Sequence, residues 1–541
     1  MVADTALAPA RDVRRPLHAE RANVRLAVRQ VWFGGLVIAA STGLLLWMGV
    51  KSFHKSQQSG GGLLAPLADN PAVRAIYGLP TAIDTLGGFA VWRVALFVTL
   101  LGTVWVTLAT TRVLRGSEET GRLDLVLANP LSLVRATFTS LAAVFAVPVL
   151  TVLVAGSVLQ GGGAAAAGSW LYAGGLGLLV VTFMGLAALA SQLLPERRRA
   201  NGLAMGVLFA TFVLRMWADG GTNSQWARWT TPFGWLEQLH AFGGNDLLPL
   251  VPLEAAPVVL VTLALVMSGE RDTGAGMVRA ADTKQASTRL LSTPLAFATR
   301  RQSGELGAWA AAIVVLGVLS GGLAETLVGF PQSQPEATKL LQQVGMGAAI
   351  TPGGFIAIMN VFYVVVLATY AIASVHADYD DEITNRLDLP YSNRVSRTAW
   401  SGSTVLATTA VLVVLTIVLA LATWIGSSAA NAGLSIGDSF AAAANVLPVP
   451  ILFLGLAVLL HGVRPSWAAG AVSVLAIGLY MVQLIGPALS WPTWVLDLSP
   501  YHHLALVPAE PAAWTALVVM LCIAAVCGAL GLFAYSRRDL Q

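Results

Sequence analysis

The sequence predicts an all-α, polytopic membrane protein: twelve transmembrane helices in two parallel six-helix halves, with short amphipathic helices between spans. Three observations carry this reading. Only 11% of the 541 residues are charged and 56% are hydrophobic, with a mean hydropathy of +0.71, whereas soluble domains are about a quarter charged. Twelve apolar runs approach or reach the roughly 20 residues that a helix needs to cross a bilayer core. One polar motif also occurs twice, each time after the second run of a set of six.

The runs are Val31–Val50, Val94–Leu114, Thr137–Leu159, Trp170–Ala190, Gly202–Trp217, Leu250–Met267, Leu306–Val328, Phe355–Val375, Thr404–Ile425, Ala441–Leu460, Trp467–Ile485 and Ala513–Ala534. Arg215 and Glu254 crowd the ends of the fifth and sixth, which are the least clearly bounded. With the N-terminus inside, the segments 1–30, 112–136, 195–201, 269–303, 377–402, 461–466 and 535–541 hold 25 of the 32 Lys and Arg residues. That is the bias the positive-inside rule requires, and an even number of spans then places both termini in the cytoplasm of a bacterial plasma membrane. Residues 1–30 hold six Arg and no cleavage site after an apolar run of suitable length, so no cleavable signal peptide is expected. Cys522 and Cys527 both fall in the last run and read as small packing residues.

The repeat sets the domain organisation. "ETGRLDLVLANPLSLVRA" from Glu119 aligns without a gap to "ITNRLDLPYSNRVSRTAW" from Ile383. Arg-Leu-Asp-Leu is identical at 122–125 and 386–389, Asn129 matches Asn393, and Ser132 matches Ser396, at an offset of 264 residues. Pro232 in "WTTPFGW" and Pro500 in "LDLSPYHH" repeat a Pro-aromatic element at an offset of 268. The turns "PERRRA" and "GVRPSWA" also correspond. Residues 1–268 and 304–541 are therefore expected to be two six-span halves, parallel because six is even, with the polar segment 269–303 linking them.

In the first copy Arg112 and Arg115 end the second span at headgroup level. Gly116 and Ser117 offer a turn and an N-cap, and Glu118 and Glu119 then suit the first turn of a new helix. Leu123, Val126 and Leu127 share one helical face, with Asp124 and Ala128 turned away from it. Asn129 and Pro130 are expected to cap and begin the next helix. The second copy is more acidic, with Asp378, Asp380, Asp381 and Glu382 before its Arg-Leu-Asp-Leu. A helix lying on lipid would carry Lys and Arg on its polar face, and acidic groups are repelled by an anionic leaflet. A protein partner with a complementary groove fits these copies better.

The two Glu, Gly, Arg, the Leu-acid-Leu core and Pro-x-Ser after the second of six spans resemble the permeases of type 2 ABC exporters. The whole chain looks like the fused twelve-span actinobacterial permeases of the tetronasin or multidrug type, and the resemblance covers both halves. It implies an elbow helix before each half, for which Arg21–Gln30 and Pro294–Gln302 are the candidates, and a coupling helix after each second span that meets a separate ATPase subunit, present in two copies. By that resemblance Glu118, Glu119, Gly121, Arg122, Leu123, Asp124 and Leu125 form the first coupling site, and Glu382, Arg386, Leu387, Asp388, Ser396 and Arg397 the second. The second copy departs at Asn385, where the family has Gly, and at Arg394, where it has Pro, which implies unequal docking of the two halves. ATP and Mg would belong to the partner subunit, and this chain would hold no cofactor.

The energy source follows a separate line. The span interiors carry Asn360 and Gln483 but few ionisable groups, with Glu325, Arg215, Glu254 and His461 near span ends, so a proton-coupled cycle has little to work with. No G-x-x-x-x-G-K-[ST] phosphate loop occurs. "LSGG" at Leu319–Gly322 imitates an ATPase signature but lies within the seventh span, where Gly317-x-x-x-Gly321 reads as small-residue helix packing. His502 and His503 lack neighbours at metal-ligand spacing. Trp226, Trp229, Trp235, Trp491 and Trp494 read as interfacial belts. Pro448 and Pro450 are expected to kink the tenth span. No catalytic triad or nucleic-acid module is apparent, and no chemistry is assigned to the long loop Lys51–Trp92. The expected function is export of hydrophobic or amphipathic drugs. The alternatives are a major-facilitator-like secondary transporter, which shares twelve spans in parallel halves, and a lipid or glycolipid exporter. A membrane-embedded enzyme or scaffold has no polar cluster at membrane depth to support it.

Overall fold

The computed structural model describes residues 14–58, 74–75, 77–128, 131–220, 224–278, 293–333, 351–383, 395–486 and 491–538. Among them, twelve helices are long and apolar enough to cross a membrane. The chain divides into two compact units, Met1–Thr283 and Lys284–Gln541.

The first unit contains α1 (Arg14–Gln58), α2 (Leu86–Glu119), the short α3 (Arg122–Leu127), α4 (Leu133–Gly161), α5 (Ala166–Leu193), α6 (Arg197–Gly220), the short α7 (Pro232–Gln238) and α8 (Leu250–Gly269). α5 is the central helix, packed against α2, α4, α6 and α8. Its sequence explains this position: Gly and Ala are frequent along it, so neighbouring backbones can come close. A Cβ on Gly185, for example, would lie 2.9 Å from Leu260 of α8. On the other side of α8, Val251, Val258 and Val266 are exposed, a surface suited to hydrocarbon.

The crowding of the fifth span by Arg215 has a structural reason. At the end of α6, Arg215 pairs with Asp219 at 2.7 Å, and Arg228 of the following 3-10 turn reaches the other oxygen of Asp219 at 2.8 Å. The Arg215 Nε also donates to Glu237 of α7 at 2.7 Å. These buried charges hold one another and fasten the loop after α6, so they do not mark a poor span. Burial pushes the Glu237 carboxyl up, against the pull of Arg215 and with a further push from Asp219.

The second unit contains α9 (Pro294–Ser333), α10 (Pro352–Ile383), α11 (Arg397–Ala429), α12 (Ile436–Val446), α13 (Pro448–Val463), α14 (Pro465–Ile485), the short α15 (Thr493–Asp497) and α16 (Trp514–Arg537). The tenth span is two helices, α12 and α13, meeting at Leu447 before Pro448. Proline has no N–H to continue the ladder, so the hydrogen-bonded ladder breaks there while Leu447 itself keeps helical backbone angles, φ −59° and ψ −35°. The elbow candidates Arg21–Gln30 and Pro294–Gln302 are early turns of the continuous helices α1 and α9, and do not form separate helices. His502 contacts Gln483 at 3.1 Å, and His503 contacts the Asp497 carbonyl at 2.8 Å.

Two close crossings hold this unit. α9 meets α11 where Gly317 faces Ala422 and Gly321 faces Thr423, so "LSGG" is a packing surface. α13 meets α16 through Gly455 and Gly462 against Ala524 and Gly531. A Cβ on Gly426 would lie 2.2 Å from the Val318 carbonyl, whereas one on Gly470 of α14 meets nothing within 4 Å. Gly426→Val is expected to destabilise the purified chain by about 1–3 kcal/mol, the usual range for overpacking, and to lower its thermal unfolding midpoint in detergent. Gly470→Ala should leave the midpoint in place.

Candidate functional site

The first copy of the motif forms a helix–turn–helix–turn unit at the basic end of the first unit. α2 runs without a break through Gly116 and Ser117 and ends at Glu119. This corrects the expected N-cap at Ser117: Glu118 and Glu119 occupy the last turn of α2 and not the first turn of the next helix. The reversal falls instead on Gly121, whose φ of +67° places it in the left-handed region, open to glycine without a steric cost. α3 then begins at Arg122.

The two faces of α3 are as the pattern required. Leu123 and Val126 are buried against Ala19 of α1 and Ala136 of α4, with Leu131 beside them and Leu127 partly buried. Arg122, Asp124 and Ala128 face outward. Leu125 also faces outward and is 76% exposed. Asn23 of α1, inside the elbow candidate, braces this arrangement by donating to the Ala136 carbonyl at 2.9 Å and to Thr139 at 2.8 Å. Asn129 and Pro130 lie outside the described residues. The cap they were expected to supply comes from Ser132, whose Oγ accepts from the Arg135 amide at 3.3 Å. Ser396, its match in the second copy, caps α11 by accepting from the Ala399 amide at 3.1 Å.

The carboxylates have partners inside the protein. Glu118 Oε2 accepts from Arg115 at 2.7 Å and from Arg271 at 3.0 Å, and its Oε1 accepts a further bond from Arg271. Arg271, just beyond α8, also donates from Nε to Gln192 at the end of α5, at 2.6 Å. Arg115 was expected at headgroup level. It turns inward and is fully buried, donating to the carbonyls of Ser191 and Ala275 as well as to Glu118. Acidic side chains at a helix C-terminus oppose the helix dipole, and these two arginines offset that cost for Glu118. Glu119 accepts from the backbone N–H of Arg197 at 2.6 Å, tying α2 to the start of α6.

The second unit carries a similar carboxylate. Both oxygens of Glu382, at the end of α10, accept from Arg538 just beyond α16, at 2.6 and 2.5 Å. Arg538 also donates to the His461 carbonyl near the end of α13 at 3.0 Å, and Arg397 donates to the Arg538 carbonyl. Arg301 of α9 binds Asp378 at 2.5 Å and Asp381 at 2.7 Å. Arg386, Leu387 and Asp388 lie outside the described residues. Sequence reasoning missed Arg271 and Arg538, although they follow the sixth and twelfth spans at an offset of 267, close to the offsets of the repeat.

The chain matches the family described as "Multidrug efflux system permease Rv1217c, C-terminal domain" over residues 60–267 and 291–536. It is 26% identical over 494 residues to the multidrug efflux system permease protein Rv1217c of Mycobacterium tuberculosis (strain ATCC 25618 / H37Rv), covering 91% of this chain and 89% of that protein.

The turn at Gly121 can be tested alone, because a Cβ there would meet nothing within 4 Å. Only backbone conformation would then resist substitution, by about 1–2 kcal/mol for an ordinary residue and less for Asn. Gly121→Ala is expected to speed tryptic cleavage after Arg122 about fivefold or more through local opening of α3, with Gly121→Asn closer to wild type.

Proposed function

The chain belongs to the Rv1217c multidrug efflux permease family, and from that premise we propose that it is the membrane subunit of an ATP-binding-cassette exporter whose ATPase is a separate protein. The permease is polytopic and helical, with apolar spans that suit hydrophobic substrates. The observation that carries the rest is α3: one face is buried in the bundle, while the other holds Leu125 out beside Arg122 and Asp124. An exposed leucine on a short, braced helix between two spans is what a helix-in-groove contact needs.

In this reading Arg122, Asp124 and Leu125 supply the first ATPase contact, with Glu118, Glu119, Gly121 and the buried Leu123 setting its frame. Arg386, Leu387, Asp388, Ser396 and Arg397 supply the second, with the buried Glu382 setting its frame. Two ATPase copies bind, hold ATP and Mg, and drive export of hydrophobic or amphipathic drugs. Residues 1–268 and 304–541 are duplicated halves of like orientation, joined by 269–303, with both termini cytoplasmic. The identical capping roles of Ser132 and Ser396 support the duplication, and the basic loops support the orientation. The absence of a phosphate loop from the sequence supports a separate ATPase.

The test is co-purification from membranes of the native host. Leu123 is buried, so its substitution would disturb the bundle, and Leu125 is the cleaner position. An ATPase is expected to accompany the wild type and to be lost with Leu125→Asp, with the variant still monodisperse. If no ATPase accompanies the wild type, the reading is wrong and the secondary-transporter alternative replaces it.

A further inference from the structure

We propose that Glu118 and Glu382 are positioning residues that pass movement from each coupling motif to the end of the sixth span of its unit, through Arg271 and Arg538. The inference rests on the exporter reading and gives these two framing carboxylates a further part in it, transmission.

The first ground is enclosure. The Glu118 side chain is 6% exposed and that of Arg271 is 2% exposed. Arg115, Arg271 and the Gly274 amide occupy both Glu118 oxygens. A docking protein would find Leu125 outward and Glu118 already engaged. Glu382 is likewise buried, with both oxygens on Arg538.

The second ground is recurrence. Glu118 and Glu382 are 264 residues apart, Arg271 and Arg538 are 267 apart, and the third members, Gln192 and His461, are 269 apart. Each unit therefore joins the same three places: the end of the second span, the end of the fourth and the residue just past the sixth. The surroundings differ. Glu118 has a second arginine, Arg115, whereas in the other unit Arg301 serves Asp378 and Asp381. The carboxylate–arginine pair and the place of its third member persist through that difference, although Gln192 is met at its side chain and His461 at its main-chain carbonyl.

The third ground is mechanical. Glu118 precedes the Gly121 turn by three residues, so a push on α3 reaches the end of α2 first. A charge-assisted pair with little access to water resists separation. It therefore carries the displacement sideways into Arg271 and α8, and through Gln192 into α5.

The experiment uses the full chain with its co-purified ATPase in proteoliposomes, measuring ATP hydrolysis and export of a fluorescent lipophilic dye. Glu118→Gln and Glu382→Gln are expected to keep the ATPase bound and hydrolysing within about twofold of wild type, while dye exported per ATP falls about tenfold. Glu118→Asp should recover part of that ratio. Arg271→Lys and Arg538→Lys keep the charge and lose the fork, and should lower the ratio about threefold; they decide the matter if the Gln variants do not fold. An unchanged ratio in the folded variants overturns the proposal. So does loss of the bound ATPase, the result expected of Leu125→Asp, because it would make these carboxylates docking residues. Absence of an ATPase from the wild type would instead overturn the exporter reading.

Discussion

A carboxylate that ends a long apolar helix must be accommodated, because it faces both the negative end of the helix dipole and a sparsely hydrated surrounding. Both units solve this in the same way, with an arginine that arrives from beyond the last span. Much else at the basic end follows. The ends of α2, α5 and α8 are held together in the first unit, and those of α10, α13 and α16 in the second. The place where the chain turns out of α2 is fixed as well, since α2 cannot end before Glu118 has met its arginines. The turn waits for Gly121, and α3 is set at the angle that buries Leu123 and Val126.

How much of this was legible depends on range. The spans were legible because apolar length is a local property: eleven of the twelve runs lie inside single helices, apart from one residue at Ala513, although most of those helices extend beyond the runs. The buried face of α3 was legible because Leu123 and Val126 stand at helical spacing. The matched serines were visible as a repeat, yet the cap was assigned to Asn129, since Asn before Pro is the stronger local signal. Glu118 and Glu119 fall in the wrong helix for the same reason: local rules put carboxylates at N-termini, and the partners that keep them at a C-terminus, Arg271 for Glu118 and the Arg197 amide for Glu119, lie 153 and 78 residues away. Arg115 and Arg215 read as boundary charges because, although Glu118 and Asp219 stand three and four residues on, nothing local discloses that these pairs are buried against Arg271 and Glu237.

The two units share these rules without being equal. The first keeps its fourth span in one piece as α5, while the second breaks its fourth at Leu447. The first uses Arg115 within α2 itself, while the second draws on Arg301 from α9 to neutralise two aspartates of α10.

α2 has a further property that comes from its length. Its 34 residues make a rod about 51 Å long at 1.5 Å per residue, against a hydrocarbon thickness of about 30 Å. Such a rod overhangs the membrane and has leverage. A pivot of about 5° at its midpoint moves each tip by roughly 2 Å, on the same rise per residue, a displacement comparable with the 3.0 Å contact through which Glu118, with Arg115 riding on the same rod, holds Arg271. A small tilt deep in the bilayer and a whole ion pair at the tip are therefore events of the same size, so that either can act as the trigger for the other.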